Sequence, residues 1–193
     1  MKTIYILLTK SETYISKIIQ ATTNDKYTHA SISFDSSLQP LYSFSRLQAD
    51  MPLPAGLHTE SFDSGFFHKY PYLPCTLLAL EVEDETYESA KAHVEDMMSR
   101  SDSYRYNVMG LIFCRLNIPL NRKSHYFCSE FVGHVLHRSN ALELPKDPSL
   151  MRPYDYTKIP HLSCLYEGSL FDLLSYLSAK KVSVPQRAFA LPL

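Results

Sequence analysis

The chain has 193 residues, of which 45% are hydrophobic and 20% charged, a composition typical of a globular domain with its own core. Its net charge of −1 gives no basic field for nucleic acid, and no stretch approaches the ~20 apolar residues of a membrane span. The first apolar run, Ile4 to Leu8, is too short for the core of a signal peptide. We therefore expect a cytoplasmic protein with free cysteine thiols.

The periodicity of apolar residues predicts an α+β fold made of one domain over 1–193, with a core at about 4–166 and a C-terminal helix and tail at 169–193. Strands are predicted at 2–9, 27–34, 41–46, 75–82 and 162–166. Helices are predicted at 11–22, 85–99, 107–116, 126–139 and 169–179. Residues 48–74 contain several prolines and glycines and are predicted to form a long loop. The expected architecture is an antiparallel sheet of four to five strands packed against helices.

The segment SHYFCSEFVGHVL, residues 124–136, places a cysteine at the start of an amphipathic helix. Unpaired backbone N–H groups and the helix dipole favour a thiolate at such a position, and the same N–H groups can hold a developing oxyanion. Cys128 is therefore a candidate nucleophile. The alternative is that Cys128 is a small apolar residue of the core, since free cysteine is often buried.

His29 lies on the polar face of the predicted strand YTHASISF. A thiol nucleophile needs an imidazole that takes its proton and returns it to the leaving group, and the imidazole needs a neighbour that fixes its tautomer. A hairpin turn near residues 37–38 would bring His29 opposite Ser45 or Arg46. Ser45, or Ser43 on the same face, is therefore the predicted orienting group. The alternative is that His29 only covers the end of a strand.

Three segments together are similar to known sequences: THASISF around His29, LYSFSR on the next strand, and YFCSEFV around Cys128. Their arrangement resembles the circularly permuted papain-like, NlpC-type cysteine hydrolases, in which the histidine strand precedes the cysteine helix. The chain resembles in particular a group of uncharacterised bacterial proteins with a YTH strand, a YSF strand and an FCSEFV helix. The resemblance extends from Ile4 to about Tyr166 and includes the later LPKDPSLMRPYDY segment.

This resemblance implies a papain-like fold with a Cys–His–polar site, in which Cys128 matches the nucleophile and His29 the base. It implies a thiol hydrolase for a peptide, amide or ester bond, because members of the superfamily cleave peptides or amides of cell-wall fragments. Lecithin–retinol acyltransferase-like relatives instead transfer acyl groups from lipids, so a thiol-dependent acyltransferase is one alternative. The second strand has no obvious Glu, His or Asn as in better-studied members. This departure leaves a non-catalytic binding module on the same fold as another alternative.

Residues beside the predicted site are candidates for contact with a small peptide, amide or acyl substrate. Tyr42, Phe44 and Tyr126 are predicted apolar walls of a substrate groove. Arg46 follows Ser45 and is a candidate for holding a substrate carboxylate or phosphate, with an ion pair inside the fold as the alternative.

No metal or other cofactor is expected. His134 and His137 are neighbours on the predicted helix, but the spacing to Cys128 turns that thiol onto a different face. A structural zinc site needs four ligands, and this segment does not bring four together. The chain also has only five glycines, and they form no glycine-rich phosphate loop.

Overall fold

The computed structural model describes residues 1–10, 25–47 and 54–182. The helix predicted at 11–22 lies outside the described residues. The same holds for part of the predicted loop, at 48–53, and for the tail after residue 182.

A six-stranded antiparallel sheet forms the centre of the fold, in the order β4-β3-β2-β1-β5-β8. These strands are β1 (Lys2–Thr9), β2 (His29–Ser33), β3 (Leu41–Arg46), β4 (Ala55–Glu60), β5 (Pro74–Val82) and β8 (Ser163–Ser169). Two short strands, β6 (Arg105–Tyr106) and β7 (His125–Tyr126), pair in parallel elsewhere. The predicted α+β class is therefore confirmed, with six strands in the sheet rather than four to five.

The additional strand is β4, within the segment predicted to be a loop. It pairs with β3 along its whole length, from Leu41 opposite Glu60 to Arg46 opposite Ala55. Prolines interrupt strands because they cannot donate a ladder hydrogen bond, but Pro54 lies directly before β4 and leaves its pairing intact. A short helix, α1 (Gly65–Lys69), follows in the same segment.

Four further helices agree with the predictions to within a few residues. They are α2 (Asp84–Ser99), α3 (Val108–Arg115), α4 (Cys128–Arg138) and α5 (Leu170–Val182), with short 3-10 turns at Ser101–Ser103, Pro148–Leu150 and Pro153–Lys158. Helix α4 begins two residues later than predicted, because Tyr126 pairs with Tyr106 in the β6–β7 ladder and Phe127 is extended. Cys128 is consequently the first residue of α4.

The sheet is covered on both faces. Alternate residues of β1 explain this, because Ile4, Ile6 and Leu8 enter one buried cluster and Leu7 enters the other. The first cluster, the main core, includes residues of α2 and α4 (Ala90, Val94, Met97, Phe131, Val132, Val135 and Leu136). The second includes residues of α1 and α5 (Phe67, Leu170, Leu173 and Leu177). Helix α4 is thus fixed against β2 and β3 by apolar packing.

All four cysteines lie in the described part of the chain and are free, as the sequence predicted. Cys75, Cys114 and Cys128 are buried, whereas Cys164 is exposed. Among the described helices, none is long and apolar enough to cross a bilayer.

Removing the Phe131 ring tests how firmly α4 is held. This ring is fully buried, with its centroid 5.3 Å from that of Phe44 on β3. We expect Phe131→Ala to lower the free energy of unfolding by about 3–5 kcal/mol in urea titration, because it leaves a cavity. Phe171→Ala is the matched control, since that ring is 50% exposed. Equal losses in the two variants would contradict this account of the core.

Candidate active site

The charged partner of the His29 ring is Glu60, at the end of β4. Its Oε1 lies 2.9 Å from His29 Nε2, and both side chains are nearly buried, with 9% and 12% of their surfaces exposed. The Ser31 hydroxyl lies 3.2 Å from the same Nε2 atom. β3 lies between β2 and β4 in the sheet, so the contact between Glu60 and His29 reaches across a strand. It is a charge-assisted hydrogen bond of the kind that fixes the orientation and tautomer of an imidazole.

The thiol of Cys128, the nucleophile predicted from the sequence, lies next to the same His29 ring. The Cys128 side chain is close enough to the His29 ring to interact with it, and it favours the charged form of the imidazole. Cys128 is 5% exposed and opens α4, where backbone N–H groups of the first turn have no partner within the helix. The fold therefore brings together a sulfur, an imidazole and a carboxylate from α4, β2 and β4.

The electrostatics of the site favour a charged pair. Burial alone opposes the imidazolium, but the Glu60 carboxylate and the Cys128 side chain outweigh it and raise the pKa of His29 to about 10. Burial likewise opposes ionisation of Glu60, yet His29, the Ser31 hydroxyl and His58 lower the pKa of Glu60 to about 2. At neutral pH the pair is therefore an imidazolium and a carboxylate.

Hydroxyl groups on the same polar face support the Glu60 carboxylate. Ser31 Oγ donates to Glu60 Oε2, and Ser45 Oγ donates to Glu60 Oε1 at 3.1 Å. Ser43 Oγ donates to Ser45 Oγ at 3.2 Å. Ile32 pairs with Tyr42, and continuing this register sets His29 opposite Ser45, as the predicted turn requires. Of the two serines predicted to orient His29, Ser45 thus contacts the carboxylate and Ser43 contacts Ser45.

The N-terminus of α4 is held by a second buried carboxylate. Glu130 Oε2 accepts hydrogen bonds from the Phe127 backbone N–H at 3.2 Å and from Asn107 Nδ2 at 3.1 Å. Asn107 is itself the N-cap of α3, where its Oδ1 accepts from the Gly110 N–H. Burial raises the pKa of Glu130 to about 7, although these two donors act against the shift. The starts of α3 and α4 are therefore tied together.

Two tyrosines lie within electrostatic range of Cys128. Burial, together with the nearby Cys128 and Glu130, raises the pKa of Tyr106 on β6. Burial and Cys128 also raise the pKa of Tyr156, whose hydroxyl donates to the Ser129 carbonyl at 2.7 Å. Both phenols therefore keep their protons, and Tyr156 uses its proton to hold the first turn of α4.

The four residues predicted to contact substrate differ in how deeply they are buried and in what they contact. Phe44 is fully buried in the main core, and Tyr42 is 9% exposed in the same core. The guanidinium of Arg46 lies over the Phe66 ring at 4.1 Å. Tyr126 is partly buried, with its ring centroid 5.5 Å from that of Phe44. Phe44 therefore has no surface to offer a substrate in this state, and the substrate contacts of the other three stay predictions.

His134 lies apart from this site. Its ring is 5.2 Å from that of His93, and its Nε2 is 3.3 Å from the Tyr126 hydroxyl. Burial, with smaller contributions from His93 and Arg138, lowers the pKa of His134 to about 4. No group of three or more His, Cys, Asp or Glu suited to a metal ion occurs in the described part of the chain.

Sequence reasoning missed Glu60, although the segment AGLHTE carried a signal. Leu57 and Thr59 alternate with His58 and Glu60, which is the period of a strand with one polar face. Four alternating residues next to prolines and a glycine were too few to predict a strand against the loop composition around them. Glu60 therefore fell within the loop predicted at 48–74.

Comparison with known proteins assigns no family to the chain. No protein-family model matches the sequence, and the search of curated proteins gives no match.

Replacing Glu60 by Gln tests the ion pair through its pH dependence. The raised pKa of His29 contributes stability that is complete below its unfolded value, ~6.5, and is lost as the pH rises through about 10. The lowered pKa of Glu60 contributes stability that is complete above its unfolded value, ~4.3, and is lost as the pH falls through about 2. We therefore expect Glu60→Gln to reduce the free energy of unfolding by about 3 kcal/mol between these unfolded values.

Urea titration of both proteins from acid to alkaline pH measures this difference, which should shrink towards pH 10. Glu88→Gln is the control, because it removes an exposed carboxylate that pairs with Lys2. A difference between wild type and Glu60→Gln that does not change with pH would contradict the charged pair.

Proposed function

We propose that the protein is a thiol hydrolase that cleaves a peptide, amide or ester bond, with Cys128 as nucleophile, His29 as general base and acid, and Glu60 as the orienting group. One observation carries the proposal: the buried His29 ring contacts the Glu60 carboxylate and the Cys128 side chain at the start of a helix. A base that interacts with a nucleophile on one side and with an orienting carboxylate on the other is what covalent acyl transfer needs.

The proposal includes the permuted papain-like fold to which the sequence is similar. In support, the histidine strand β2 precedes the cysteine helix α4 along the chain, and an antiparallel sheet packs against that helix. Glu60 supplies the polar group that the LYSFSR strand lacks. It stands on the strand after LYSFSR, so the sequence of that strand alone did not reveal it.

The proposed reaction depends on which ring nitrogen of His29 faces Glu60 and which faces Cys128. Glu60 holds His29 Nε2, which leaves Nδ1 as the ring nitrogen for the sulfur. The Cys128 thiolate attacks the carbonyl carbon, and His29 gives its proton to the leaving nitrogen or oxygen as that bond breaks. The resulting thioester is opened by a water molecule whose proton passes to His29, which regenerates the thiolate and imidazolium.

The oxyanion of the tetrahedral intermediate needs hydrogen-bond donors beside Cys128. The Cys128 backbone N–H is one candidate, because the first N–H groups of a helix have no intrahelical partner. The Tyr106 hydroxyl is a second candidate, since it is protonated and lies in the field of Cys128. Ser45 and Ser43 act in this scheme as positioning residues that hold Glu60.

The two alternative functions, a thiol-dependent acyltransferase and a non-catalytic binding module, make different demands on the site. A thiol-dependent acyltransferase would use the same residues and pass the acyl group from Cys128 to an acceptor other than water. A non-catalytic binding module was favoured by the absence of a strong third group in the sequence. The contact of Glu60 with His29 removes that argument.

Thiol alkylation tests the proposal without knowledge of the substrate. We expect iodoacetamide to label Cys128 faster than Cys164, although only Cys164 is exposed, because the imidazolium favours the thiolate. Cys114 and Cys75 should react slowest, since burial raises the pKa of these thiols to about 11 and about 12. Mass spectrometry of tryptic peptides gives the rate for each cysteine.

The histidine variants make the alkylation test specific. His29→Ala should reduce the Cys128 rate by about tenfold or more, because it removes the cationic partner. His134→Ala, on the same helix as Cys128 but outside the site, is the control and should leave the rate unchanged. Cys128 reacting no faster than Cys164 would remove the main support for an enzyme.

Tyr106→Phe separates oxyanion stabilisation from thiol reactivity. Acylation by p-nitrophenyl acetate passes through an oxyanion, whereas alkylation by iodoacetamide does not. We expect the variant to lose about a hundredfold in acylation rate while its alkylation rate stays unchanged. Tyr104→Phe, two residues earlier in the chain, is the matched control. An equal loss in both reactions would assign Tyr106 to the packing around Cys128.

A further inference from the structure

Helix α3 exposes an apolar stripe. Five of the ten large hydrophobic side chains exposed by the described residues fall within residues 108–118, with exposed fractions between 41% and 63%. Four of them lie within about 100° of each other around the helix axis. They are Val108, Met109, Ile112 and Leu116; Ile118 follows just after the helix. Gly110 and Cys114, on the opposite side, are buried, so the stripe is the outer face of α3.

The stripe begins beside the candidate active site. Tyr106, which lies in the field of Cys128, is two residues before Val108. Asn107 caps α3, receives a hydrogen bond at Oδ1 from Gly110, and donates to Glu130 in the first turn of α4. The exposed helix is therefore anchored to the helix that carries the thiol.

Basic residues flank the stripe at both ends. Arg105 precedes it, and Arg122 and Lys123 follow it on the segment that returns to β7; all three are exposed. No ion pair within the described part of the chain involves them, and no Asp or Glu occurs between Asp102 and Glu130 in the sequence. Asp147 accepts a hydrogen bond from Asn121 Nδ2 at 3.3 Å, so one acidic group lies beside the segment that carries Arg122 and Lys123.

We propose that this surface, the α3 stripe with Arg105, Arg122 and Lys123, docks on the surface of an anionic lipid bilayer. An exposed helix with an apolar stripe and cationic flanks is suited to the interface between headgroups and acyl chains. The apolar side chains enter the layer while the cations stay among the anionic headgroups. This inference concerns binding alone and does not depend on the proposed reaction.

The same surface suits a bilayer better than a second protein. The stripe is the convex outer face of a short helix, and its apolar side chains are flanked by long, flexible cations. A protein partner would need a groove of matching shape and acidic groups at both ends. An anionic bilayer offers an apolar layer and negative charge over its whole area without such a match.

Vesicle flotation with the full chain tests the docking surface. We expect the protein to float with vesicles of phosphatidylcholine containing about one-third phosphatidylglycerol, and much less with phosphatidylcholine alone. Binding should weaken as salt rises, because the headgroup attraction is screened. Ile112→Glu should lower the partition coefficient by about tenfold or more, since it removes apolar burial and adds repulsion. The double variant Arg122→Glu/Lys123→Glu should lower it similarly.

Two control variants distinguish a loss of vesicle binding from a general effect of an added surface charge and from a loss of the proposed reaction. Phe171→Glu also places a charge on an exposed apolar site, but on α5, and should bind vesicles as the wild type does. Cys128→Ala should do the same, so a failed reaction and a failed docking surface can be told apart. The proposal is overturned if anionic vesicles are not bound, or if Ile112→Glu binds them equally well. A stable dimer abolished by Ile112→Glu would assign the stripe to a second copy of the chain and also overturn it.

Discussion

A buried ion pair between two strands that are not neighbours is the constraint on which the candidate site depends. Burial by itself would keep the His29 ring neutral, and only the Glu60 carboxylate and the Cys128 side chain reverse that preference. The carboxylate in turn is ionised in a nearly closed environment because His29 faces it and hydroxyls donate to it. Neither residue could be buried in its charged form without the other.

The rest of the fold fixes the geometry of that pair against the thiol. β3 separates β2 from β4 and contributes Ser45, which holds Glu60 from the side. Helix α4 is packed into the main core through Phe131 and neighbouring apolar residues, so its first turn has little freedom relative to the sheet. Glu130 and Tyr156 secure that turn by hydrogen bonds to its backbone. The packing of α4 thus sets the position of Cys128, whereas the His29–Glu60 pair sets the charge of the site.

Local patterns were sufficient for most of the fold and for the two residues first singled out. Strands with strong alternation and helices with clear apolar periodicity were predicted to within a few residues, as for α2 at Asp84–Ser99. Cys128 and His29 could be found because a helix start and a polar strand face are local features. Tyr42 and Phe44 were harder to interpret, since an apolar side chain that fills a core and one that lines a groove look alike in a sequence.

The sequence by itself determined the α+β class, the free thiols and the presence of a cysteine at a helix start with a histidine on a polar strand. Only the tertiary structure decided that β4 exists, that its last residue, Glu60, meets His29 across a strand, and that Ser45 and Ser43 support this carboxylate rather than the ring. The physical reason is that strand pairing and the pairing of buried charges are interactions between segments far apart in the chain. The short alternation in β4 indicates a polar face, but it does not indicate which distant residues that face meets.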